Sequence, residues 1–153
     1  MRNFILDTNI LMAYLKADKL FNKVSEDNNL NDEDAFTMIS SITKGELLSI
    51  AFQNKWGEKR VANLSKLLNE FVFIDIGGND DLLLNAYAEI DAFSLKRHPT
   101  KKLLGSAKPM GKNDMWIAAT AFATNATLLT ADGKFMHLDK EFINIKFYHP
   151  KSA

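Results

Sequence analysis

The sequence predicts an α/β fold whose central sheet is mostly parallel and flanked by helices. Short apolar runs typical of strands alternate along the chain with segments in which apolar residues recur every three or four positions. That alternation is the order in which parallel strands and their crossover helices are built. The chain has 153 residues, the length of one ordinary domain, so we expect a single domain over residues 1–153.

The first two strand-helix units lie before residue 70. Residues 4–6 form a short continuous apolar run, as expected of a strand covered on both faces, and helical spacing begins at Ile10. "AFTMIS" (35–40) is predicted to be the second strand, and "TKGELLSIAF" (43–52) resumes helical spacing. A further helix is predicted from Val61.

The third strand is predicted over "FVFIDI" (71–76), which Gly77 and Gly78 end. Asn79 or Asp80 can cap the helix that follows, because their side chains accept hydrogen bonds from its first N–H groups. The apolar spacing predicts that this helix runs over residues 82–95.

The last third of the chain begins with a basic stretch, residues 96–112, which contains two prolines and two glycines and is predicted to be a loop. "NDMWIAATAFATN" (113–125) is an alanine-rich segment typical of a helix packed closely on a sheet. "TLLT" (127–130) and "INIKFY" (143–148) complete the predicted strands.

Composition narrows the classes of site and partner. The chain lacks cysteine, which excludes disulfides and thiolate metal sites and fits a reducing compartment, so we expect a cytoplasmic protein. Asp7 and Asn9 interrupt the apolar N-terminal region, and we expect neither an export signal nor a membrane segment. The formal net charge is zero, which excludes a strong overall attraction to nucleic acid.

Four acids stand where a strand leads into a helix or where a helix begins: Asp7, Glu46, Asp114 and Asp132. Each has an ordinary structural explanation. Asp7, or its neighbours Thr8 and Asn9, can cap the first helix; Glu46 can complete a capping box with Thr43; Asp114 can be an N-cap. Asp132 lies in "ADG", which is common turn chemistry.

Taken together, the four acids favour a shared site. The carboxyl ends of parallel strands meet at one edge of the sheet, where ligands bind. Carboxylates clustered there repel one another and need a cation. The three histidines, His98, His137 and His149, lie away from these segments, so the ligands would all be oxygen, which selects Mg²⁺ or Mn²⁺. Metal-assisted hydrolysis of a phosphodiester suits such a site.

Four segments in this order, "FILDTNILMAYL", "ISSITKGELLSI", "GKNDMWIAATA" and "TLLTADGKF", resemble the successive motifs of PIN-domain ribonucleases, and among these the VapC-type toxins of bacterial toxin–antitoxin pairs. The resemblance implies a PIN-like three-layer fold and cleavage of RNA with one or two Mg²⁺ or Mn²⁺ ions. Asp7, Glu46, Asp114 and Asp132 match the acidic quartet of the family, as metal ligands and catalytic residues. We expect the first three to be direct ligands, and Asp132 to bind a second ion or position water.

The resemblance also suggests supporting residues and partners. Asn9, Ser40, Thr43 and Thr130 would orient the carboxylates. An antitoxin would cover the crevice. The helix from Ile10 and the pair Leu20-Phe21 could contact that antitoxin, or they could belong to the hydrophobic core. The resemblance also allows a homodimer.

The basic stretch next to Asp114 could hold RNA phosphates, or it could be a solvated loop. Its six cations are Lys96, Arg97, Lys101, Lys102, Lys108 and Lys112. Trp116 or Phe135 could stack on an unpaired base, although their helical or apolar setting favours core packing for both.

Three other readings compete with this one. A haloacid-dehalogenase-like phosphatase also places an aspartate after its first strand, but Asn9 stands where its second acid would be. A response-regulator receiver would have adjacent acids after that strand, which "LDTN" lacks. A catalytically silent PIN-like module that only binds RNA or protein would have lost at least one acid of the quartet.

Overall fold

The computed structural model describes residues 1–75, 77 and 79–151. Its strands are β1 (Arg2–Leu6), β2 (Ala35–Ser40), β3 (Val72–Ile74), β4 (Thr127–Thr130) and β5 (Asn144–Phe147). They form one sheet in the order β3-β2-β1-β4-β5, in which every neighbouring pair is parallel. The α/β class with a parallel sheet is therefore confirmed. The predicted strand 71–76 is shorter in the structure, and its residue 76, like Gly78, lies outside the described residues.

Six α-helices and one 3₁₀ helix connect the strands in the described part of the chain. They are α1 (Thr8–Leu15), α2 (Lys19–Asn28), α3 (Ser41–Gln53), α4 (Glu58–Glu70), α5 (Asp81–Ser94), α6 (Lys112–Ala123) and the 3₁₀ helix Gly133–Leu138. Asp80 caps α5 as predicted, since its carboxylate accepts a hydrogen bond from the Leu83 N–H. None of the helices among these residues is long and apolar enough to cross a bilayer.

The sheet separates two hydrophobic cores, which gives the fold three layers. In β1, Phe4 and Leu6 point into a core shared with α1, α2, α3 and α4, whereas Ile5 points into a core shared with α5 and α6. Leu128 and Leu129 divide in the same way on β4. The alternation explains why the central strands are continuously apolar, because both of their faces are covered.

Helix α2 is a feature that the apolar spacing did not predict. Asp18 caps it by accepting a hydrogen bond from the Leu20 N–H, and Asn29 ends it in the left-handed conformation with φ of 49°. Leu20 and Val24 are buried, while most of the charged residues of the segment face solvent. Phe21 packs edge-on against Tyr14 with ring centroids 4.7 Å apart, so the pair Leu20-Phe21 belongs to the core side of the molecule.

Two of the predicted caps are wrong. Helix α3 begins two residues earlier than expected and is capped by Ser40, whose hydroxyl accepts a hydrogen bond from the Ile42 N–H. Thr43 is inside the helix and buried, so it forms no capping box with Glu46. Helix α6 begins after Gly111, which makes Asp114 its third residue and not its N-cap. Glu46 and Asp114 are thereby left without the capping role that would have explained them.

The strand order places a topological switch point between β1 and β4. From β1 the chain continues outward to β2 and β3, and from β4 it continues outward to β5 on the other side. Adjacent loops after β1 and β4 therefore run in opposite directions and open a crevice at the carboxyl ends of these two strands. Asp7 directly follows β1, and Asp132 lies two residues beyond β4.

A buried amide attaches the edge strand β5 to helix α2. The Asn28 side-chain NH₂ donates hydrogen bonds to the Val24 carbonyl at 2.8 Å and to the Tyr148 hydroxyl at 2.9 Å. Its oxygen accepts a hydrogen bond from the Lys146 ammonium at 2.6 Å. The exposed Lys146 ammonium could bind water if the Asn28 amide were removed, but the buried Tyr148 hydroxyl and Val24 carbonyl would each lose a hydrogen bond.

We predict that Asn28→Ala lowers the free energy of unfolding by about 2 kcal/mol, since it leaves buried polar groups without partners. Urea denaturation would measure the change. Asn22→Ala is the matched control, because Asn22 is exposed on the same helix, and it should shift stability by less than about 0.5 kcal/mol. Equal effects of the two substitutions would contradict a stabilising role for the amide.

Candidate active site

The crevice at the switch point is a cleft of about 610 Å³. Asp7, Glu46, Asp114 and Asp132 all line it, although they come from four separate segments of the chain. These segments are the end of β1, helix α3, the first turn of α6 and the turn after β4. The structure thus brings together the four acids that the sequence singles out.

Asp7 is the most buried of these acids, with 4% of its surface exposed. Its Oδ1 accepts a hydrogen bond from the Thr8 N–H at 2.8 Å, and its Oδ2 accepts one from the Thr130 hydroxyl at 2.7 Å. Burial raises the pKa of Asp7 from 3.8 to about 6; the two hydrogen bonds oppose this, and the charges of Asp114 and Glu46 add to it. Asp7 therefore caps α1 and also faces the cleft.

Glu46 is held by a hydroxyl that the sequence analysis missed. The Thr8 Oγ1 lies 2.8 Å from Glu46 Oε1 and 3.3 Å from the Thr43 hydroxyl oxygen. A hydroxyl has one proton to donate, and the shorter contact assigns it to the carboxylate. Thr8 directly follows Asp7, and that adjacency was the available signal. Thr8 thus links the first acid of the cleft to the second.

Asp114 and Asp132 form the opposite side of the cleft. Burial raises the pKa of Asp114, and the charges of Asp132 and Glu46 raise it further, whereas Lys134 lowers it. The Asp132 carboxylate accepts a hydrogen bond from the Lys134 N–H at 2.9 Å. Asp132 thereby caps the N-terminus of the 3₁₀ helix. Lys134 is the second residue that the sequence analysis missed, and it brings a positive charge close to Asp114.

The four polar residues predicted to orient the acids differ in how closely they contact them. Thr130 donates to Asp7 and accepts a hydrogen bond from the Asp132 N–H at 2.9 Å, so it connects two of the acids. Asn9 lines the cleft and accepts a hydrogen bond from the Ala131 N–H at 3.1 Å. Thr43 contacts Thr8, as described above. Ser40 caps α3 and makes no hydrogen bond to the acids.

The donor set of the cleft fits a hard divalent cation. The charged ligands in the lining are all carboxylate oxygens, none of the lining residues is a histidine, and the thioether of Met12 is a soft ligand that a hard cation does not prefer. Among the described residues no three acidic or imidazole side chains are placed so that they could hold one ion by themselves. Mg²⁺ commonly takes only one or two carboxylates and keeps several waters. Burial is the main cause of the raised pKa values of Asp7 and Asp114, neighbouring carboxylates add to it, and a bound cation would offset both effects.

Two of the six cations in the basic stretch 96–112 contact other parts of the protein. The Lys96 ammonium donates to the Gly105 carbonyl, and the Lys101 ammonium donates to the Glu141 carbonyl at 3.3 Å. Lys101 also lies over the Phe142 ring, 5.3 Å from its centroid. The other four cations are exposed and make no ion pair within the described residues: Arg97, Lys102, Lys108 and Lys112.

The two aromatic candidates for base stacking pack against the protein. Phe135 is fully buried in the core that β4 shares with α5 and α6. The interpretation of Phe135 as a core residue is therefore confirmed. Trp116 lies on the Tyr87 ring with centroids 4.1 Å apart and packs against the same core. Neither ring lines the cleft.

The raised pKa of Asp7 gives stability a defined pH dependence. Its folded-state pKa of about 6 exceeds the ordinary value of 3.8, so the folded protein binds more protons between those values. The free energy of unfolding therefore falls as pH rises through that window, by about 3 kcal/mol for Asp7 alone.

We predict that Asp7→Asn, measured with a chelator near neutral pH, raises the free energy of unfolding by about 1 to 2 kcal/mol. This gain in the free energy of unfolding is smaller than the titration effect of about 3 kcal/mol, because the Asn side-chain NH₂ cannot accept the hydrogen bond from the Thr130 hydroxyl. The decline in stability between about pH 4 and 6 should also become shallower. Asp18→Asn is the control, since Asp18 is exposed, lines the same cleft and caps α2, a role that Asn fills equally well. A less stable Asp7→Asn protein would contradict the prediction.

Comparison with known proteins gives the same fold and family. The PIN domain family matches residues 4–141. Three similar solved structures are VapBC2 from Rickettsia felis bound to a promoter DNA fragment, DNA-bound VapBC from Salmonella typhimurium, and VapBC-1 from nontypeable Haemophilus influenzae. Their TM-scores are 0.71, 0.69 and 0.69, and their sequence identities are 25%, 26% and 27%.

These alignments cover 95%, 96% and 95% of this chain and 98%, 98% and 97% of the respective matched chains. No curated protein matches the chain. The phosphatase and receiver alternatives are not supported, because the family match extends over nearly the whole sequence. The chain belongs to the PIN-domain family.

Proposed function

We propose that the protein is a divalent-metal-dependent endoribonuclease and the toxin of a VapBC-type toxin–antitoxin pair, built as a single PIN-like domain over residues 1–153. The observation that carries this proposal is the convergence of four carboxylates from four segments on one cleft at the switch point of the sheet. Membership of the PIN-domain family supports nuclease chemistry. The similar VapBC structures support the toxin role.

Of Asp7, Glu46 and Asp114, one or two would bind a Mg²⁺ or Mn²⁺ ion directly and the others would bind it through its water molecules. Asp132 would bind a second ion or position water. When bound, the ion would supply Lewis-acid stabilisation of the negative charge that develops on the phosphate and a lower pKa for water. Asp7, with its pKa of about 6, is mostly ionised at neutral pH and thus able to bind a cation. The raised pKa of Asp114 means that this carboxyl also gains from a nearby positive charge.

Hydroxyl groups keep these carboxylates in place. Thr130 donates to Asp7 Oδ2, and Thr8 donates to Glu46 Oε1, so each threonine fixes one oxygen of a carboxylate. Partners of this kind orient ligands and lower the cost of forming the site.

RNA phosphates would be held by the exposed cations of the basic stretch. Lys112 is the best placed of these, because it opens helix α6 two residues before Asp114. Lys102 and Lys108 extend the same charge along the loop. Lys96 and Lys101 are engaged by Gly105 and Glu141, so their ammonium groups contribute less to phosphate binding.

The proposed partners are an RNA substrate, a cognate antitoxin and, in a homodimer, a second copy of the chain. The similar structures are described as VapBC complexes, and two of them are bound to DNA. RNA would be encountered in the cytoplasm, the compartment that a chain without cysteine also suits.

A catalytically silent PIN-like binding module is the second candidate. It is favoured by the absence, among the described residues, of any three side chains able to hold an ion by themselves. The intact quartet favours the nuclease, because a module that only binds has no need of four buried or half-buried acids in one cleft.

Cleavage of a mixed RNA pool by the purified protein with Mg²⁺ or Mn²⁺ tests the proposal. We predict metal-dependent cutting that EDTA, Asp7→Asn and Asp114→Asn each abolish. Asp27→Asn, which neutralises an exposed acid on α2, should cut like the wild type. RNA binding without cutting, together with no heat of Mn²⁺ binding in calorimetry, would establish the silent module instead.

We further predict that Lys112→Gln reduces the salt dependence of RNA binding, with the slope of log K against log salt falling by about 0.7 for one single-stranded phosphate contact. Fluorescence anisotropy in the Asp7→Asn background, which leaves the RNA intact, would measure it. Lys96→Gln is the comparison, because the loop already engages that ammonium group. The same change of slope in both variants would contradict a phosphate contact that Lys112 makes and Lys96 does not.

A further inference from the structure

A shallow groove extends from the acidic cleft along helix α1 toward helix α4. Its lining residues are Met12, Leu15, Lys16, Trp56, Arg60 and Asn63. Met12 and Lys16 also line the acidic cleft, so the groove and the cleft are continuous. The groove encloses about 90 Å³, which suits a flat group laid across it better than a group held inside it.

The two cations of this groove are not neutralised by the protein. Within the described residues, neither the Lys16 ammonium nor the Arg60 guanidinium makes a hydrogen bond or an ion pair. Asp18 lines the neighbouring cleft, but its carboxylate is used to cap α2. No acid lines the groove itself. Anions are therefore the ligands that its charge favours.

Trp56 gives the groove a flat surface. Its ring is half-buried against the core on the α1–α4 side of the sheet, and the Arg60 guanidinium lies over it, 5.8 Å from the ring centroid. Aromatic rings and guanidinium planes are the surfaces on which proteins stack unpaired bases. Asn63, a neutral amide on α4, stands beside this pair and can both donate and accept hydrogen bonds.

We infer that this groove is a subsite for an unpaired nucleotide of the RNA strand, next to the phosphate that is cut. Lys16 contacts the backbone phosphate between the cleft and the groove, and the Trp56–Arg60 pair stacks on the base. The inference rests on the proposed ribonuclease function, whose substrate it narrows to single-stranded RNA.

The charge of the groove favours RNA over a protein segment. A strand placed against four carboxylates is repelled unless cations lie close by, and the groove supplies two of them directly beside the cleft. A protein segment would gain mainly from apolar contact with Met12, Leu15 and Trp56, but an apolar segment would leave the two cations beside them without partners. A nucleotide offers a base to the ring and phosphates to the cations.

Binding of a fluorescently labelled single-stranded RNA of about 12 nucleotides tests the subsite in the Asp7→Asn background. Lys16→Gln should weaken binding and lower the salt slope by about 0.7, the value for one lost phosphate contact, whereas Arg60→Gln, which removes part of the stacking surface, should weaken binding with a smaller change of slope. Lys59→Gln is the matched control, because Lys59 precedes Arg60 on the same helix, is exposed and lies outside the groove.

The stacking surface is tested separately. Trp56→Leu should weaken binding about tenfold, whereas Trp56→Phe, which keeps an aromatic face, should retain most of it. Urea denaturation of both variants checks that the fold is intact, since Trp56 packs on the core. The same RNA presented as a duplex should bind equally well to both variants, because its bases are not available for stacking.

Three outcomes would overturn the inference. If the wild type cuts RNA but Lys16→Gln and Arg60→Gln bind like Lys59→Gln, the subsite is wrong while the ribonuclease stands. If the groove variants bind RNA normally and lose only their complex with a co-expressed antitoxin, a protein segment occupies the groove. If the wild type neither cuts nor binds RNA, the proposed function and the subsite fail together.

Discussion

The site depends on a carboxylate that is buried where two parallel strands end. Asp7 lies at the centre of the sheet edge, 4% exposed, with one oxygen bonded to the Thr8 N–H and the other to the Thr130 hydroxyl. The second bond joins the ends of β1 and β4, the two strands between which the crevice opens. Such a charge is costly to bury, as its raised pKa shows, and the fold tolerates the cost because the surrounding core is extensive on both faces of the sheet.

The other acids follow from the same arrangement. Helix α3 brings Glu46 to Thr8, and the first turn of α6 brings Asp114 to the opposite wall, where its charge is coupled to those of Asp132 and Glu46. Burial and the neighbouring carboxylates raise the pKa values of Asp7 and Asp114, so the cleft is destabilising to the metal-free protein and favourable to a cation. This opposition between stability and site chemistry is typical of functional sites.

Much of this could be predicted from the sequence, because periodicity and strand-end acids are local signals. The order of strands and helices, the cap at Asp80 and the four cleft acids are all visible in short segments. Helix α2 was missed because its apolar positions are sparse among charged residues, and the caps at Ser40 and Gly111 were missed by two or three residues. Thr8 and Lys134 lie next to Asp7 and two residues from Asp132, but their contacts with Glu46 and Asp114 join residues far apart in sequence, and so does the groove at Trp56.

The distribution of charge shows how a chain with no net charge could bind RNA under the proposed function. Acids are concentrated in the cleft. Within the described residues, cations without an ion pair lie near them: Lys16 and Arg60 at the groove, Lys112 in the first turn of α6 and Lys134 close to Asp114. At physiological ionic strength charges are screened beyond about 8 Å, so an RNA strand would respond to this local pattern and not to the total. The cations would attract the strand, and the carboxylates would repel its phosphates until a metal ion offset their charge. Under that proposal, the four acids that make the site costly to fold would also make RNA binding at its centre dependent on the cation.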